Sequence, residues 1–330
     1  MRAAVLTDDH TFVVENVPDP TPGPSDLVVR VEACGICGSD LKAHGHMPGG
    51  IVMGHEFCGE VVAVGTGLSG QWREGELLAA LPLTACGRCR WCLADDAAHC
   101  ETFDPQGVGG SPGAFAEYIR VDAGSAVRLR EDLGELGALV EPLAVGLHTV
   151  VTGRIGPGDR VLVIGGGNVG SAVSTWARRF GAVEVVVSDP SPTRRDSAGL
   201  FGATGVHDPT EGPPPGGFDV VVECVGVPGL IQVAMDAATV RGRVVVAGVC
   251  ITPDPIQPLI GVLKELELGF AVYYRKSEFV AAAALLESGD IDPTDFVTGR
   301  VGLDGVASAF THLLSSSTER KILVTPNKDA

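Results

Sequence analysis

Apolar and polar positions divide this chain into two rhythms. Up to about Gly158, short apolar runs are broken every few residues by glycine and proline. Asp26–Cys34 (DLVVRVEAC), Phe57–Gly65 (FCGEVVAVG) and Glu76–Leu81 read as strands, and the punctuation predicts a β-rich, barrel-like unit. From there on, apolar runs alternate with helical stretches. Arg160–Ile164, Val183–Ser188, Asp219–Glu223 and Arg243–Ala247 read as strands, with a helix over Gly167–Phe180. Continuous apolar runs alternating with helices predict a parallel sheet covered on both faces. A helix over Glu278–Ser288 and a short strand over Lys321–Thr325 close the pattern, and Glu211–Gly217 (EGPPPGG) reads as a surface loop.

Length and composition narrow the class. The chain has 330 residues, which favours two domains, and 45% of them are hydrophobic, enough for sizeable cores. A net charge of -17 argues against nucleic-acid binding, which needs clustered positive charge. Asp8 and Asp9 soon interrupt the apolar start, so no signal peptide is expected, and no apolar run of membrane-spanning length is seen. The expectation is a cytoplasmic protein whose nine cysteines are mostly reduced, which turns attention to metal binding or catalysis.

Four of those cysteines form a C-x2-C-x2-C-x7-C pattern: Cys86, Cys89, Cys92 and Cys100. Four thiolates close a tetrahedral zinc site that leaves no room for water, so the metal would hold structure and do no chemistry. A redox cluster is the competing reading. Val161–Ile164 runs directly into Gly165-Gly-Gly167-Asn-Val169-Gly170, a G-x-G-x-x-G pattern between a strand and a helix. Such glycines allow a tight turn, close approach of a pyrophosphate, and packing of the helix on the strand. Asp189 lies nineteen residues beyond Gly170, at the end of the next strand, where a carboxylate accepts hydrogen bonds from ribose hydroxyls and repels a 2′-phosphate. NAD is therefore favoured over NADP, with Arg194 and Arg195 as the opposing signal. The candidate cofactor-binding residues are Gly165, Gly167, Val169, Gly170, Asp189 and Arg194.

Three further segments carry ligand-type residues: Cys37 in Cys34-Gly-Ile-Cys37-Gly-Ser39-Asp40, His55 and Glu56 in Gly54-His55-Glu56, and Glu141 in Glu141-Pro-Leu-Ala-Val. Taken singly, each has an ordinary structural explanation. Together with the cysteine cluster and the glycine motif, in this order along nearly the whole chain, they resemble the medium-chain dehydrogenase/reductase family. The branch is that of zinc-containing alcohol and polyol dehydrogenases, with the glutamate version similar to sorbitol, threonine and butanediol dehydrogenases.

The resemblance implies an α/β protein. A GroES-like β-barrel catalytic domain would span residues 1–145 and 275–330, and a Rossmann doubly wound parallel-sheet domain would span residues 146–274, with the active site in the cleft. It implies two zinc ions per chain. Cys37 and His55 would hold the catalytic one; Glu56 can join them directly, and Glu141 directly or through water. Ser39 resembles the hydroxyl that carries the alcohol proton outward, and Asp40 a supporting group. Lys42 stands where the family often has histidine, with His44 and His46 close by as substitutes. The implied reaction is hydride transfer between a secondary alcohol (polyol, diol or cyclic or aliphatic alcohol) and NAD, in a homodimer or homotetramer without nucleic-acid or membrane partners. Two rivals are a zinc-free quinone or enone reductase and a non-enzymatic zinc- and NAD-binding sensor. Cys37, His55 and the cysteine loop argue against the first; an intact Cys37–Ser39–His55–Glu141 set argues against the second.

Overall fold

The computed structural model describes residues 1–315 and 318–328. The chain forms two compact units, Met1–Glu141 with Arg275–Ala330, and Pro142–Tyr274. The helix Val140–Thr152 contains both the observed division and the one expected after residue 145.

The first unit is built on one long strand, Asp26–Gly35. Its alternating apolar residues Leu27, Val29 and Val31 are fully buried, as the period-two pattern requires. Ten residues are enough to give it two partners on one side: Tyr118–Asp122 pairs with its first half and Ile322–Val324 with its last two residues. Glu56–Val64 pairs along nearly its whole length on the other side. The sheet continues through Leu77–Ala80 to Ala126–Arg128 at one edge and ends at Gly299–Val301 at the other. A separate hairpin, Arg2–Leu6 with Phe12–Asn16, adds Ala3, Ala4, Leu6 and Phe12 to the core, where the rings of Phe12, Phe115 and Phe310 meet in edge-on and tilted contacts. This arrangement places the turn after Gly35, which carries Cys37, beside the start of Glu56–Val64, which follows His55: Gly35 pairs with Glu56.

The second unit is a six-stranded sheet in the order Gly205–His207, Glu184–Ser188, Arg160–Ile164, Phe218–Glu223, Ala238–Val246, Glu267–Phe270, with every pairing parallel. Its central strands read Val-Leu-Val-Ile and Val-Val-Val because both faces are covered; Val161, Leu162, Val163, Val220, Val221 and Val222 are all fully buried. The helix Asn168–Arg179 follows the central strand and is buried along most of its length.

The helical stretch Glu131–Thr152 has the length and hydropathy of a membrane span. It is broken at Gly134, which has non-helical backbone angles, and 67% of its apolar window is buried in protein, as expected of core helices.

Candidate active site

The first unit brings Cys37, His55 and Glu56 together: one donor atom from each lies within 4.8 Å of the others. Cys37 precedes the short helix Gly38–Ala43, and Asp40 of that helix is completely buried. Asp40 Oδ2 accepts the Cys37 N–H at 2.9 Å, and Oδ1 lies 3.1 Å from His55 Nδ1. One carboxylate thus fixes the turn at the cysteine and backs the imidazole, leaving Nε2 as the ring nitrogen without a carboxylate behind it. A carboxylate behind one ring nitrogen is the usual support for a histidine whose other nitrogen binds a metal. Burial disfavours a charged His55, but Asp40 first and then Cys37 outweigh it and raise the imidazole well above its ordinary range. Ser39 Oγ sits 3.5 Å from His55 Nε2.

Glu56 is 1% exposed. Its Oε2 forms a short ion pair with Lys321 Nζ, and its Oε1 is buried without a hydrogen-bond partner among the described residues. Glu141 is buried near the start of Val140–Thr152 and is not in the 4.8 Å group, though its charge is felt at Lys321. A thiol, a carboxylate-backed imidazole and a carboxylate with an unsatisfied buried oxygen are a donor set that suits zinc. Lys321 is the residue that the motifs did not reveal. Its signal was a lysine at the head of the apolar run Ile322–Val324. His44, a substitute proton carrier by sequence, directs Nδ1 to the Leu41 carbonyl at 2.9 Å and packs edge-on against Phe310.

Cys86, Cys89, Cys92 and Cys100 also converge, with their sulfurs within 4.8 Å of one another. A two-residue ladder, Leu83–Thr84 with Asp104–Pro105, closes the base of this loop. Backbone N–H groups point at the sulfurs: Cys89 donates to Cys86 Sγ, and Cys86 and Thr102 donate to Cys100 Sγ. Those two bonds push the Cys100 thiol down to about 6, while burial and the neighbouring sulfurs push Cys92 up to about 12. Four thiols held this closely cannot all ionise unless a cation sits among them, so the loop fits a structural zinc.

In the second unit, the strands Arg160–Ile164 and Glu184–Ser188 end side by side. Gly165 turns at φ +99°, and a side chain at Gly170 would sit 1.8 Å from the Gly165 carbonyl, so helix and turn can pack only with glycine at both positions. Asp189 is buried; its Oδ2 accepts the Gly166 N–H and its Oδ1 the Ser191 N–H, both at 2.8 Å, which orients the carboxylate. Arg194 Nη1 lies 3.5 Å from Asp189 Oδ2. Arg195 is engaged elsewhere, by Asp208 at 2.6 Å and by the Asp189 and Pro190 carbonyls. A cavity of about 570 Å³ opens beside Gly165, Gly167, Asp189 and Arg194. Val169 is half-buried at the first turn of the helix.

Residues 23–131 match the family described as the alcohol dehydrogenase GroES-like domain, and residues 168–288 match the zinc-binding dehydrogenase family. The chain is 31% identical to (R,R)-butanediol dehydrogenase of Bacillus subtilis over 99% of this chain and 100% of that one. The chain belongs to the zinc-containing medium-chain dehydrogenases, in the alcohol and polyol branch. This dehydrogenase is also 33% identical to 2-dehydro-3-deoxy-L-galactonate 5-dehydrogenase of Pseudoalteromonas atlantica, with both chains covered in full. Its fold superimposes on a zinc-binding dehydrogenase of Sinorhizobium meliloti bound to NADP, with TM-score 0.90, 33% identity and coverage of 98% and 99%. It is an oxidoreductase that interconverts secondary alcohols and ketones with a nicotinamide cofactor.

Proposed function

We propose that the reaction is carried by Cys37, His55 and Glu56, holding a catalytic zinc, and that the cysteine loop holds a second, structural one. The observation that carries this reading is the convergence of three donors of the right chemistry within 4.8 Å, each with its own support: Asp40 behind His55 and at the Cys37 backbone, and Lys321 behind Glu56. Zinc bound there supplies Lewis acidity that lowers the pKa of an alcohol hydroxyl. The protein's residues do the rest. Asp40 holds Cys37 and His55 in place, the Ser39 hydroxyl accepts the alcohol proton and passes it outward, and the glycine turn with Asp189 orients the nicotinamide cofactor that takes the hydride.

The cofactor reading is NAD. Asp189 presents an oriented carboxylate at the strand end, and the second arginine beside it, Arg195, is bound to Asp208. A 2′-phosphate would meet that carboxylate in a buried setting. The substrate reading is a polyol, diol or other secondary alcohol, in line with the butanediol dehydrogenase and the sugar-acid dehydrogenase among the relatives. The assembly reading is a homo-oligomer built on the sheet edge Glu267–Phe270. That edge exposes Leu268 and Phe270, and the preceding helix exposes Leu259, Val262 and Leu263. An unpaired edge strand with apolar side chains is a template for a second chain. The cytoplasm suits both thiolate sites, which need reduced cysteines.

A panel of polyols, diols and cyclic and aliphatic secondary alcohols, each offered with NAD and with NADP, tests the reading. Turnover on one class, with a higher kcat/KM for NAD, is expected. No turnover in protein loaded with zinc and cofactor would favour a binding protein instead.

A further inference from the structure

The C-terminal segment brings a lysine into the candidate metal centre. Lys321 immediately precedes the strand Ile322–Val324 and is 1% exposed. Its ammonium donates to the Ile36 carbonyl at 2.9 Å and to Glu56 Oε2 in a short ion pair. Ile36 precedes Cys37 and Glu56 follows His55, so one buried cation ties together the two segments that carry the sulfur and the imidazole. The pair fits because residue 35 has no side chain: a Cβ at Gly35 would lie 2.0 Å from Glu56 Oε2 and 3.0 Å from Lys321 Cδ. Glu56 Oε1 remains buried without a hydrogen bond among the described residues. A buried carboxylate oxygen left that way is costly unless a cation meets it.

We propose that Lys321 is a positioning residue of the metal centre: it holds Glu56 Oε2, leaves Oε1 as the carboxylate oxygen without a hydrogen bond among the described residues, and competes with the metal for the carboxylate. The inference rests on the reading that these three residues hold zinc. Its chemical consequence is a donor set whose negative charge is kept low, which favours a Lewis-acidic metal over a tightly neutralised one.

Cobalt(II) titration of the chelator-stripped protein tests it, using the part of the thiolate-to-cobalt absorption that is lost in Cys37→Ser, so that the four-cysteine loop is subtracted. Lys321→Met is expected to tighten cobalt binding at this centre by about tenfold or more, the scale on which a contacting charge biases a carboxylate. The ligand-field bands should shift as the second oxygen becomes available. Adding Glu56→Gln should abolish that gain, since no carboxylate remains to be released. Gly35→Ala displaces the Glu56 carboxylate from Lys321 while keeping both charges, and is expected to shift the bands in the same direction if Lys321→Met does not fold. Unchanged affinity and bands in these variants, with melting temperature lowered equally with and without metal, would reduce Lys321 to a structural strap. Absence of any Cys37-dependent signal in the wild type would instead remove the metal centre itself, and this proposal with it.

Discussion

At the scale of single residues, the two oriented carboxylates make the sharpest predictions. Asp40 touches both Cys37 and His55 and no solvent. Asp40→Asn keeps the volume and loses the charge behind the imidazole, so zinc affinity at this centre should fall by roughly ten- to a hundredfold, read by competition with a chelator. A metal affinity equal to wild type would show that the imidazole needs no such backing. Asp189→Ala should weaken NAD by about tenfold or more and NADP by less, because charged hydrogen bonds to ribose are lost and repulsion of a 2′-phosphate is relieved. An unchanged ratio of the two cofactors would count against the ribose contact. Cys37, Asp40, His55 and Glu56 were legible because short motifs carried them. Lys321 was not, since a buried lysine looks like a surface one until its partner, 265 residues away, is brought to it.

At the scale of elements, Glu135 joins three parts of the first unit. It lies in the stretch Glu131–Leu139 and pairs with Arg300 at 2.5 Å and Lys328 at 2.9 Å. Burial disfavours its charge, but the two cations outweigh burial and hold its carboxyl below the ordinary value of 4.5. A depressed folded pKa stabilises the protein above the unfolded pKa, and that stability is lost as pH falls through the folded value. Glu135→Gln should therefore melt earlier than wild type near neutral pH, with the gap closing in acid below the depressed value. A gap that does not change with pH would mean the ion pairs contribute nothing. The strands of the parallel sheet were readable within a residue or two where both faces are buried. Ala238–Val246 was an exception: it begins five residues before the expected Arg243, because the start, with Gly242 and exposed Val240 and Arg241, has no apolar run to mark it. The hairpin Arg2–Leu6 with Phe12–Asn16 and the helices Leu230–Ala237 and Val306–Ser315 were also unassigned by pattern. They are short, and tertiary packing decides them more than periodicity does.

At the scale of the whole molecule, the exposed edge Glu267–Phe270 bears on assembly. Phe270 is 68% exposed. On the proposed assembly through this edge, Phe270→Lys should shift the protein to a smaller species in sedimentation while leaving its fold intact; an unchanged mass would remove this edge as the proposed contact. The catalytic zinc is tested by counting zinc in the wild type and in Cys37→Ser while following NAD-dependent alcohol oxidation in both. A catalytic zinc at Cys37 gives about two zinc ions per chain and turnover in the wild type, and about one zinc, no turnover and retained NAD binding in the variant. Equal zinc content and near-normal turnover in Cys37→Ser would contradict it.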